Sequence, residues 1–446
     1  MKKRAFGRAA SRASRVILAL IFAALAMHAA PARAETAAPP IHLGVESCAG
    51  SGCHGNAQAG GSAILQNEVA TWRERDPHAR AWKSLTGKRG QLIARNLGIG
   101  DASTAQQCLT CHADNPPADM RGPMFRVSDG VGCEACHGAS APWLGLHASG
   151  VGTHAQNVAA GLYPTERPRA RAELCLGCHL GDGSRFLSHD IMAAGHPALR
   201  FELDTYTNTQ PPHWRVDADY VQRKGRSDHI AVWATGQLAA ADRTLALIGG
   251  RFGAKGRTPE FGVFDCTSCH KPISAGSYDA AAGRGVPPGT PRLADSNLVM
   301  VRVLLQAFDP GAAEGLRRDW VALHAASGRG AAAVQGAAGS LRARIASASG
   351  FASRGYDAAA GRRLAAAFVA DAAAGRLSDY SVAQQTTMAL GTILVGLKDA
   401  GIGDDRFRDL NAALDTVYGT IDDERTYDPS KWTAAIRRFG AVLDRA

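Results

Sequence analysis

The 446-residue chain carries 50 Lys+Arg against 40 Asp+Glu, a formal charge of +10, and 46% of its residues are hydrophobic. Seven of the basic residues and no acidic ones fall in residues 1–34, so the remainder is close to balanced. That balance excludes nucleic-acid binding as a function carried by charge, and the scattered arginines at Arg167 to Arg171 and Arg223 to Arg226 suit solvent or small anionic groups better than a phosphate backbone.

In chain order, the first feature is an export signal. Lys2, Lys3, Arg4, Arg8, Arg12 and Arg15 precede the apolar run Val16 to Met27, and Ala32-Arg33-Ala34 has the small-x-small form of a cleavage site. Glu35 is then the expected mature N-terminus, the location periplasmic, and the mature chain free of a membrane span, because the apolar run is too short to cross a bilayer.

Next come ten cysteines in five pairs, each followed directly by histidine. Four pairs are C-x-x-C-H: Cys108/Cys111/His112, Cys133/Cys136/His137, Cys175/Cys178/His179 and Cys266/Cys269/His270. The first in the chain, Cys48/Cys53/His54, has four intervening residues, with Gly50 and Gly52 to give the backbone freedom to loop them out. Two cysteines on one side of a helical turn can add across the two vinyl groups of a haem while the next histidine binds the iron. Disulfides or zinc knuckles use cysteines at similar spacing, but neither accounts for a histidine after every pair. The cofactor expected is therefore haem c, five per chain and covalently bound, and its propionates would carry the holoprotein to neutral or acidic charge.

The organisation follows from those sites. Residues 1–34 are a signal peptide and residues 35–275 a pentahaem region, where the haems must supply the core that so few residues per site cannot. The expected fold is mainly α: a short helix at each motif, long loops around stacked haems, few strands. Residues 276–294 are Gly/Pro-rich and read as a linker or surface loop. Residues 295–446 are Ala-rich, with a helix from Asp295 or Ser296 through Phe308. Helical spacing recurs at Leu390/Ile393/Leu394/Leu397, Phe407/Leu410/Leu414/Val417 and Trp432/Ile436/Phe439. This C-terminal bundle has packing against the haem region, or against a second copy in a homo-oligomer, as its expected role.

The sixth ligand decides what each iron does, since a second histidine suits electron transfer and an open position admits substrate. Among the histidines outside the motifs, His78, His147, His154, His189 and His196 are the expected distal ligands. His213, held in Pro211-Pro212-His213-Trp214, is the first reserve. His189 and His196 would share a helix face unless Gly195 and Pro197 break it.

Four segments together carry a resemblance: Cys-Ala-Gly-Ser-Gly-Cys-His-Gly at Cys48, Asp-Pro-His-Ala-Arg-Ala at Asp76, Gly-Val-Gly-Cys-Glu-Ala-Cys-His-Gly at Gly130, and Ala-Ala-Gly-His-Pro-Ala-Leu-Arg-Phe-Glu at Ala193. Over roughly residues 42–275 the chain resembles the cytochrome c-554-type multihaem family, related in haem arrangement to hydroxylamine oxidoreductase and pentahaem nitrite reductase. The resemblance implies a periplasmic electron carrier with closely stacked, mostly bis-histidine haems and redox proteins as partners. The c-554-type carriers have four haems and this chain has five motifs. No C-x-x-C-K occurs here, unlike in pentahaem nitrite reductases. The expected function is electron carriage between redox partners, with no catalytic residue singled out. The alternative is an oxidoreductase acting on a small nitrogen or sulfur compound at one five-coordinate haem.

Overall fold

The computed structural model describes residues 40–61, 64–256, 258–270, 286 and 290–445. The expected signal peptide and most of the 276–294 stretch lie outside them. The described residues are mainly helical, with only isolated bridges such as His42 to Arg121 and Phe264 to Leu293.

Residues 41–225 are short helices strung on loops. They run α1 (Glu68–Arg75), α2 (Ala81–Thr86), α3 (Lys88–Asn96), α4 (Gln106–His112), α5 (Cys133–His137), α6 (Leu144–Ala148) and α7 (His154–Ala159). Then come α8 (Pro168–His179), α9 (His189–Ala193), α10 (Leu203–Thr209) and α11 (Ala218–Lys224). Their apolar clusters are small: Leu85, Ala94, Ala102, Leu109 and Ala113 form one, and Ala172, Leu176 and Leu203 anchor another. So little buried apolar surface cannot offset the ordering entropy of that length of chain, and something other than side chains has to fill the interior.

The second half is built differently. The 23-residue α12 (His229–Arg251) is followed by α13 (Ser296–Phe308), α14 (Pro310–Ser327), α15 (Ala331–Ser347) and α16 (Ala358–Ala373). The chain ends with α17 (Tyr380–Asp399), α18 (Asp404–Tyr418) and α19 (Pro429–Leu443). One continuous apolar core runs through all of them, from Trp233 and Leu245 on α12 to Leu304, Phe368, Leu394, Leu414, Trp432 and Phe439. The helix α12, which sequence grouping placed with the haem region, contributes a full face to this core. The α13 helix begins at Ser296 after an Asp295 N-cap and ends at Phe308, as the spacing predicts. Among the described residues no helix is long and apolar enough to cross a membrane.

The last residues of the expected linker are structural. Arg292 and Leu293 are buried, the Asp265 N–H donates to Arg292 O at 2.9 Å, and the Ala294 N–H donates to Val263 O at 2.9 Å. This short pairing ties the fifth cysteine motif to the helical half.

Candidate functional site

Three motifs lie on α helices: α4, α5 and the C-terminal end of α8. The fifth forms a single 3-10 turn, Cys266–Ser268, capped by Asp265, which accepts the Thr267 N–H at 3.0 Å. The first is a chain of turns, with the Cys53 N–H donating to Gly50 O at 2.9 Å and the His54 N–H to Cys48 O at 3.2 Å. Its two extra residues are absorbed there, and neither Gly50 nor Gly52 needs a positive φ to do it. A positive φ appears instead at Gly138 (+78°), where the chain leaves the third motif beneath Gly161 O.

Each of the five motif histidines faces a second histidine from a remote segment. The ring centres are 6.0 Å apart for His54 and His147, 6.1 Å for His179 and His78, 6.2 Å for His112 and His196, 6.3 Å for His137 and His213, and 6.4 Å for His270 and His189. Directly stacked rings sit closer than the near-parallel His54 and His147 pair, and the same spacing recurs in all five pairs. Metal–nitrogen bonds of about 2 Å on each side, plus about 1 Å from nitrogen to ring centre, put two trans imidazoles about 6 Å apart. The five pairs therefore fit an iron between each pair of rings. Ring planes are 7° and 24° apart in the His54 and His270 pairs, and 84° to 88° apart in the other three.

The unshared ring nitrogens fit the same group. His54 Nδ1 lies 2.9 Å from Glu68 Oε2, His78 Nδ1 2.8 Å from Asp76 Oδ1, His112 Nδ1 3.0 Å from Ala81 O, and His196 Nδ1 2.8 Å from Pro197 O. An acceptor at Nδ1 fixes the proton there and leaves the Nε2 lone pair for a metal. Burial, with His213 adding to it, holds His137 down at about 4, and burial with nearby His78 does the same for His179. Both rings are thus neutral and able to donate a lone pair at neutral pH. Asp76 stays ionised: against its burial, hydrogen bonds from His78 and Gln210 hold it at about 2.

His154 stands apart from this arrangement. It opens α7 behind a Thr153 capping box, and its Nε2 lies 3.0 Å from Glu166 Oε1, so the nitrogen a metal would need is engaged by a carboxylate. The position opposite His137 is held by His213. His189 and His196 do not share a helix face, since α9 ends at Ala193 and Gly195 turns the chain with φ +116°.

Several supporting groups had no signature in the sequence. Glu68 meets His54 from 14 residues away. Glu134, inside the third motif, accepts the Leu43 N–H (2.8 Å), the Gly44 N–H (2.7 Å) and the Ser140 N–H (2.7 Å), pinning the start of the described chain to that motif. Glu260 accepts the His189 N–H at 2.9 Å. Only Asp76, two residues before His78, could have been found locally, as the cap of an Asp-Pro-His turn.

Cysteine sulfurs of different motifs also meet. The Cys48 thiol is hydrogen-bonded with that of Cys133, and Cys111 with Cys178. In a haem-bearing chain these sulfurs are thioethers, so each contact marks where two macrocycle edges approach. Cys53, Cys266 and Cys269 are exposed and the other seven cysteines are half-buried.

No curated protein and no solved structure matches the chain. The family model described as Cytochrome c554 and c-prime matches residues 48–138, which carry the first three motifs and their turns. Over that stretch, about a fifth of its length, the chain is similar to the cytochrome c554-type family, and the match supports a c-type cytochrome with covalently bound haem c.

Proposed function

We propose that this protein is an exported, periplasmic pentahaem electron carrier in which every iron has two histidine ligands. The observation that carries the reading is the set of five histidine pairs at 6.0–6.4 Å. In it His54, His112, His137, His179 and His270 are proximal, with His147, His196, His213, His78 and His189 their respective partners. The ten cysteines hold the macrocycles by thioether bonds. The bound haem supplies reversible one-electron chemistry, and the chain's side chains set each potential through ring orientation, burial and the acceptors at Nδ1.

The order of the sites along the path is first, third, fourth, second, fifth. Sulfur contacts join first to third and second to fourth. The Gln210 amide donates to Asp76 Oδ2 at 2.9 Å, which joins the segments bearing His213 and His78, hence third to fourth. His189 and His196 sit on one short segment, which joins fifth to second. The exposed cysteines belong to the two ends of this order, where a donor protein and an acceptor protein can approach a haem edge.

An oxidoreductase would require one second histidine to leave its iron, and each of the five motif histidines has one opposite. Electron paramagnetic resonance of the ferric protein tests the difference. The expected spectrum is low-spin throughout, in two classes: two sites with near-parallel rings and three with near-perpendicular rings, because ring alignment sets how far the iron orbitals split. A high-spin component that shifts on adding nitrite or hydroxylamine would overturn the carrier reading in favour of catalysis.

A further inference from the structure

Two acidic side chains are buried where α10 meets α12 and α17: Glu202 is 2% exposed and Asp204 4%. Glu202 caps α10, accepting the backbone N–H groups of Asp204 and Thr205, each at 2.8 Å. Asp204 lies against His229 Nδ1 on α12 at 3.0 Å and accepts from Asn208 Nδ2 at 3.0 Å. The Thr392 hydroxyl on α17 bridges the two carboxylates, 3.5 Å from Glu202 Oε2 and 3.2 Å from Asp204 Oδ2. The far side of the imidazole, His229 Nε2, is 3.7 Å from Asp399 Oδ2, and the Asp399 side chain is 53% exposed. Carboxylate, hydroxyl, carboxylate, imidazole and surface carboxylate thus form one line from the interior to solvent.

The inner end of that line adjoins the fourth haem site. Phe201, the residue before Glu202, stacks on the His179 ring at 5.0 Å between centres, and Tyr206 meets the same ring edge-on at 5.7 Å. The titratable and charged groups facing the two acids are Tyr206 on α10, His229 on α12, Tyr418 on α18, Arg171 on α8 and Asp399 at the end of α17.

We propose that the Glu202–Asp204–His229 cluster takes up one proton when the haem held by His179 gains an electron, and returns it on reoxidation. The inference rests on the haem assignment above. An electron arriving from a neighbouring haem adds one negative charge, and a proton from solvent, passed by Asp399 and His229, adds one positive charge at the Glu202 carboxylate. No covalent bond beyond that O–H forms or breaks, and the local charge is unchanged. A dry carboxylate is poorly screened, so a new negative charge nearby favours its neutral form. The coupling is reciprocal, so protonation of Glu202 also makes the electron easier to add. Burial, with the adjoining Asp204 charge adding to it, lifts Glu202 to about 7, so the group is poised to change state near neutral pH.

Spectroelectrochemical titration of the holoprotein between about pH 6 and 8 reads this directly. One of the five one-electron steps should fall as pH rises, by up to about 59 mV per unit, the value of a tenfold change for one electron. In Glu202→Gln, whose amide oxygen can still accept one of the two N–H groups, that step should lose its slope while the haem spectrum is unchanged. A reduced-minus-oxidised infrared spectrum of the unmutated protein should gain a protonated-carboxyl band that is missing in the variant. Five pH-independent steps, or a slope that survives in Glu202→Gln, would overturn the inference and leave the carrier reading intact. A preparation without a haem spectrum would instead overturn the carrier reading itself.

Discussion

At the scale of single residues, a histidine's usefulness here depends on which of its nitrogens is already taken. His54, His78, His112 and His196 all have an acceptor at Nδ1, whereas His154 has Glu166 at Nε2. This contrast leads to opposite outcomes for two substitutions that look alike in sequence. His213→Ala should turn one haem of five from low-spin to high-spin in the absorption spectrum of the ferric protein. His154→Ala should leave all five low-spin and cost only one partly exposed side-chain hydrogen bond to Glu166, about 1 kcal/mol or less in thermal unfolding. A high-spin haem in His154→Ala would reverse the assignment of the two residues. The cysteine pairs and the histidines that follow them are legible in the chain because attachment chemistry demands contiguity. Facing histidines are not, because two rings across an iron need only meet in space: His137 and His213 are separated by several helices, and Glu166 declares nothing about His154 until the loop between them closes.

Among the elements, the short helices are positioning devices more than sources of stability. The turn at Pro77–Arg80 is capped by Asp76, which binds both the His78 backbone N–H at 3.0 Å and the His78 ring. The α9 segment depends on being short. Because Gly195 adopts φ +116°, His189 and His196 point to separate motifs, toward His270 and His112. A continued helix would stack them two turns apart on one face, and that alternative was visible in the spacing. Gly195→Ala puts a Cβ in a left-handed backbone at a cost of about 1–2 kcal/mol. Thermal denaturation should show that loss, and the low-spin signals assigned to the second and fifth sites should broaden together. An unchanged melting temperature would mean that the turn relaxes without strain.

For the whole molecule, two construction methods are joined end to end. The helical half carries an apolar core of ordinary kind, and its repeating Leu, Ile, Phe and Trp positions were legible as helices. What periodicity could not reveal was that α12 belongs to that core, since the helix lies between two haem motifs in the chain. The join itself is electrostatic. Arg292, 5% exposed, pairs with Asp265 at 2.9 Å, with Asp295 at 3.0 Å and with Asp379 at 3.1 Å, which binds the cap of the fifth motif to the starts of α13 and α17. Ser381 adds a hydrogen bond to Asp265 at 2.7 Å. Arg292→Met would leave three carboxylates without their shared cation and should lower stability by about 3–5 kcal/mol. The fifth haem's potential should shift in the same variant, whereas the first, at the other end of the order, should hold. Equal shifts at both ends would point to general loosening in place of a local join.

The pairing of remote histidines has a consequence for how such a molecule can be made. Each iron would clasp two points of the chain far apart in sequence, and each clasp interleaves with at least two of the others. A polypeptide lacking its pigment has only small apolar clusters to condense around before residue 225, while the helical half has a continuous apolar core. On the pentahaem reading, attachment is expected to precede folding of the first half, and the chain without haem should show a helical signal from its second half alone. A chain that misses even one macrocycle would leave a loosely held segment, so limited proteolysis should cut incompletely loaded molecules faster than complete ones.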